Sequence, residues 1–82
     1  MDAHGAAEVL LRLIQDEINQ AGYARYRMIR DRLAHEVGDD LALIQKVGRR
    51  NISPAVQAEF RKLPGWQALD WHPQRQRWTT AS

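Results

Sequence analysis

Two proline-bearing pairs, Ser53-Pro54 and Pro64-Gly65, fence a helix-length segment and leave the second half of the chain few ways to fold. Ser is a favoured N-cap, and Pro at the first helical position gives up an N–H that has no intrahelical partner in any case. Between the fences Val56, Phe60 and Leu63 fall on one stripe, while Ser53, Gln57 and Arg61 fall on another. Pro64-Gly65 cannot continue the helix. The spacing predicts a helix over 54–63, with Phe60 buried between it and the helices that precede it.

Beyond the second fence, Gln67, Leu69 and Trp71 alternate with Ala68 and Asp70. The run His72-Pro73-Gln74-Arg75-Gln76 supplies a loop before Arg77-Trp78-Thr79-Thr80. This reads as a hairpin over about 66–80, with Trp71 and Trp78 as a cross-strand aromatic pair. Upstream, Leu10, Leu11, Ile14 and Ile18 recur at helical spacing over about 6–21, and Gly22 ends that helix. A second helix over about 24–37 places Tyr26, Ile29, Leu33 and Val37 on one face and stops at Gly38. Asp39 or Asp40 is the expected N-cap of a third, over about 40–48, whose Leu41, Ile44 and Val47 face inward until Gly48 closes it. Arg49-Arg50-Asn51 is then the turn. Fraying is expected only in the first few residues and at Ala81-Ser82.

These elements make one small domain over 1–82, mainly α: four helices plus a C-terminal β-hairpin. A chain of 82 residues buries roughly 60% of its unfolded surface, so a modest apolar core carries the stability. Its charge is divided unevenly. Residues 1–40 hold five Arg against eight Asp and Glu, a net of −3, whereas residues 41–82 hold seven Lys and Arg against Glu59 and Asp70, a net of +5. A basic half that coincides with the fenced helix and hairpin is the electrostatic footprint of a polyanion binder.

A Ser-Pro-capped helix, polar and cationic on one face and running into a hairpin, resembles the recognition helix and wing of the winged helix-turn-helix superfamily. The resemblance covers about residues 40–80 and is one of fold, with no specific family indicated. It implies a small regulator or DNA-binding accessory factor that places helix 54–63 in the major groove of double-stranded DNA. Within that frame Gln57 and Arg61 suit base edges, Lys62, Arg49 and Arg50 suit phosphates, and Asn51 and Ser53 lie at the approach to the helix. Arg75 and Arg77 sit on the wing, where an arginine can enter an adjacent minor groove. A second frame, built on Ala34, Gly38 and Ile44, puts Asp39 and Asp40 against DNA, and two carboxylates there repel phosphates.

A single domain covers a short site, so a homodimer or a larger complex is the expected route to useful affinity. The wide apolar stripe Val9, Leu10, Leu11, Leu13, Ile14 and Ile18 is the candidate dimer surface. The alternative is a protein-interaction adaptor of winged-helix shape that binds a partner protein, and a third is single-strand or RNA binding through the Trp and Arg tail. No catalytic residue, metal site or cofactor is expected: His35, Glu36 and Asp39 lack the H-E-x-x-H spacing, and there is no Gly-rich phosphate loop. With no cysteine, no signal-peptide pattern and no bilayer-length apolar run, a cytoplasmic location away from the membrane is the expectation.

Overall fold

The computed structural model, which describes residues 1–46 and 48–81, has four helices and two small antiparallel sheets among those residues. Helix α1 (Ala3–Ala21) begins three residues earlier than its hydrophobic period suggests. Asp2 is the reason: its side chain accepts the Gly5 N–H at 2.9 Å, a cap that orders the expected frayed end and brings His4 into the first turn. That bond also holds the Asp2 carboxyl below its usual pKa. At the other end Gly22 adopts a left-handed φ of 85° and returns its N–H to Ile18 O, as its position implies.

Strand β1 (Ala24–Arg25) takes the two residues assigned to the start of the second helix, which therefore runs as α2 (Tyr26–Val37). The third helix is shorter than its apolar spacing suggests. It stops after one turn, α3 (Asp39–Ala42), capped by Gly38 with no side-chain bond from either aspartate. In place of the helix expected to reach 48, β2 (Leu43–Lys46) pairs with β3 (Arg49–Ile52), Leu43 opposite Ile52 and Lys46 opposite Arg49. Arg49, Arg50 and Asn51 are thus strand residues, not a turn. Gly48, at φ 73°, lies between the strands rather than at a helix end, and Val47 lies outside the described residues.

Helix α4 (Pro54–Phe60) starts where the Ser53-Pro54 pair puts it and ends three residues short of Leu63. After a turn and a 3₁₀ segment (Trp66–Ala68) come β4 (Leu69–His72) and β5 (Arg77–Thr80), with Trp71 opposite Trp78 as expected. The hairpin is not free-standing. β1 pairs with β5 on its outer side, Ala24 with Trp78 and Arg25 with Arg77, giving a sheet ordered β1-β5-β4.

The core forms on α1, which packs chiefly on α4 and also meets α2, α3, β1 and β5. Leu10, Leu13 and Ile14 are buried with Ile29 and Leu33 of α2 and Val56 and Phe60 of α4; Val9, Leu11 and Ile18 are half-buried against the same cluster. The width of the α1 stripe is therefore absorbed by the chain's own core, which removes the reason for reading it as a dimer surface. Each fully buried Leu or Ile contributes about 1.5–3 kcal/mol, against about 0–1 kcal/mol for an exposed ion pair such as Arg50–Asp39 or Arg12–Asp16. Stability is set by the stripe. No described helix is long and apolar enough to cross a membrane.

Tyr26 and Arg30 fasten the β2–β3 ribbon to α2, the Arg30 Nη1 donating to Arg50 O at 3.0 Å. The Tyr26 hydroxyl accepts the Ile52 N–H at 3.0 Å, and Ser53 N–H donates to Ala42 O at 2.7 Å beside it. Tyr26→Phe keeps the ring and strands the Ile52 N–H, so we expect a loss of about 1–1.5 kcal/mol in urea unfolding. No loss would mean that water replaces the hydroxyl.

Candidate nucleic-acid interface

The outward surface of α4 consists of Pro54, Ala55 and Ala58, followed by Arg61 and Lys62 in the turn that closes it. Val56, Phe60 and Leu63 turn inward, as their spacing requires. Gln57 keeps the stripe it shares with Arg61, which donates its N–H to the Gln57 carbonyl at 3.2 Å, but differs from it in exposure. It is half-buried, and its Nε2 donates to Ile52 O at 2.8 Å, because the end of β3 leaves that carbonyl beside the helix. Arg61, the C-cap of α4, keeps a right-handed helical backbone, so its i, i+4 relation to Gln57 survives the end of the helix.

The other expected contacts are dispersed. Ser53 occupies the N-cap position without a side-chain cap bond, so Pro54 sets the start alone. Arg61 is exposed. Lys62 is exposed too but leans on Glu59, its Nζ 2.8 Å from Oε2, and this contact holds the Glu59 carboxyl below its usual pKa. On the ribbon, Arg49 is exposed, Arg50 binds Asp39 at 2.9 Å, and the half-buried Asn51 lies near the Tyr26 hydroxyl. Arg75 is exposed in the loop 73–76. Arg77 lies on β5 rather than at the tip, half-buried, its guanidinium 4.7 Å from the centre of the Tyr23 ring. The structure thus groups Arg61 and Lys62 at the end of α4, places Arg49 and Arg50 on a separate ribbon, and sets Arg75 in the loop between β4 and β5.

The base of the β4–β5 hairpin is tied to α2. Gln76 takes a left-handed φ of 51°, an uncommon conformation outside Gly, and its Nε2 donates to Pro73 O. Its carbonyl accepts the Tyr26 N–H at 2.9 Å, supplying a partner for the first free amide of α2. His72, expected in the loop, instead ends β4, with Nε2 2.7 Å from Thr79 Oγ1.

The spacing of the chain did not reveal the cleft between α4 and this hairpin. Trp66, Trp71, Trp78, Tyr26, Phe60 and Leu69 line a hollow of about 430 Å³ whose polar rim includes Asn51, Gln57, Gln76 and Arg61. Trp71 and Trp78 are 4.8 Å apart between ring centres, and Tyr26 meets them at 5.9 and 5.8 Å. Such separations are those of mutually packed rings. Trp66 and Trp78 are half-buried, whereas Trp71 stays 40% exposed. Three tryptophans within thirteen residues were the available signal. The chain matches no family model, no curated protein and no solved structure.

Proposed function

We propose that this protein binds double-stranded DNA as a winged-helix-like regulator or accessory factor, with α4 in the major groove and β4–β5 as wing. The observation that carries this reading is the continuity of α4 with a hairpin that β1 ties into the body of the fold. A helix and a wing held in one rigid frame can meet adjacent parts of a duplex without a cost in ordering. Ala55 and Ala58 support the docking, since small side chains let the helix approach the groove floor and meet thymine methyls. Arg61 then lies at the end that can reach a base edge, and Arg49, Lys62 and Arg75 supply phosphate contacts.

A mobility-shift titration on random duplex DNA at several salt concentrations tests it. Affinity should fall steeply with salt, and Arg75→Ala should lower the log–log slope by about one unit on every sequence, the signature of one lost phosphate contact. Absence of salt-dependent binding would sink the proposal. The adaptor reading has one observation in its favour, the exposed Trp71 beside the aromatic cleft, and salt-insensitive capture of a partner protein would select it.

A further inference from the structure

The outer face of the β1-β5-β4 sheet opposes like charges. Arg25 on β1 lies directly across from Arg77 on β5, and Arg77 in turn lies across from His72 on β4. Directly opposed cations in an antiparallel pair are destabilising. None of the ion pairs among the described residues involves Arg25 or Arg77, and Asp70, two residues from His72 on the same face, reaches neither of them. Both guanidiniums are instead held by one aromatic ring. Tyr23 has the Arg77 Cζ 4.7 Å and the Arg25 Cζ 5.5 Å from its centre, and its hydroxyl accepts from Arg25 Nη2 at 3.2 Å. The Nε of Arg77 is buried without a hydrogen-bond partner. Its guanidinium rests on the Tyr23 ring, a cation–π contact that holds the group in place without neutralising its charge.

We propose that Arg25, Arg77 and Tyr23 form a clip for a phosphoryl group. Two guanidiniums held on one ring, from residues directly opposed in the sheet, offer several donors to a tetrahedral oxyanion, which neutralises the opposed charges and accepts bidentate bonds that a monatomic anion cannot. The phosphoryl group can come from a nucleic-acid backbone or from a free phosphate. Only the first source rests on the duplex-binding reading.

The test uses the full chain and two probes, inorganic phosphate and random duplex DNA. Thermal melting is compared in phosphate and in chloride at equal ionic strength. The wild type should melt higher in phosphate, and both Arg25→Gln and Arg77→Gln should abolish that difference. In chloride, Arg25→Gln should melt roughly 1–5 °C above the wild type, because it removes a like-charge contact. A structural role for Arg25 predicts the opposite sign. With duplex DNA, the double substitution should lower the salt slope by about one unit rather than two, since the two arginines share one phosphate. A phosphate effect that depends on both arginines in a protein that binds no duplex supports the clip with free phosphate as its source, and the duplex reading then falls alone. Duplex binding whose slope ignores the double substitution, in a protein that melts alike in phosphate and chloride, overturns the clip and leaves that reading intact. Should Arg77→Gln not fold, the exposed Arg25 decides the matter by itself.

Discussion

Phe60→Ala should cost about 3–5 kcal/mol in urea or thermal unfolding, the usual range for emptying an aromatic site in a core. Phe60 is 8% exposed on the inward face of α4 and packs in the cluster that α1 organises. A domain of this size has a total stability of the same order as the loss, so the variant should be largely unfolded at 37 °C. Its neighbours cannot collapse into the space, because α4 is fixed at one end by Pro54 and at the other by the turn into the 3₁₀ segment. A cooperative, near-normal transition in Phe60→Ala would show that α4 presents a different face to α1. The assignment of Ala55, Ala58 and Arg61 to the outside would fall with it.

Arg61→Ala should lose about 1–3 kcal/mol of binding on a preferred duplex and much less on random DNA, because only a base-edge contact carries sequence information. Arg49→Ala, which on the duplex-binding reading removes a phosphate contact, should weaken both to the same degree. Competition binding with a selected site and a scrambled one reads the difference. If the two substitutions behave alike on every duplex, α4 is an electrostatic surface and not a reader. If neither matters while a partner protein is released, the adaptor reading takes its place. Gln57 belongs to a different class: with its amide on Ile52 O, Gln57→Ala perturbs the end of β3 before it touches a base.

Signals in the sequence worked where one residue dictates a backbone geometry. Ser53-Pro54 placed the start of α4, Gly22 and Gly38 placed two helix ends, and the Trp71–Trp78 register followed from a loop of fixed chemistry. They misled where apolar spacing alone had to decide. Leu41 and Ile44 suit a helix, but Leu43 to Lys46 pair in register with Arg49 to Ile52, and the ladder between them takes the place of further helical turns. β1 could not be read at all, because a two-residue strand has no period and exists only through its partner more than fifty positions away. The same non-local pairing hid the clip. Arg25 and Arg77 share no local pattern, whereas Arg49, Arg50 and Arg75 were visible as plain surface cations. Gln57 misled through a contact outside the helix: it lies on the stripe of Arg61 as its spacing implies, but the Ile52 carbonyl at the end of β3 takes its amide.

The bond between β1 and β5 also orders events in time. Helices α1 and α2 are local structures that can form while synthesis is still in progress, but Ala24 and Arg25 have no hydrogen-bonding partner until Arg77 and Trp78 exist. Closing so long a loop carries an entropic cost that must be met before the sheet contributes anything in return. A nascent chain halted before Arg77 would expose the packing face of the hairpin and leave the first strand as an open edge, a surface that other chains can join. Completion of the last strand is therefore what converts a sticky helical intermediate into a protein that can be left alone.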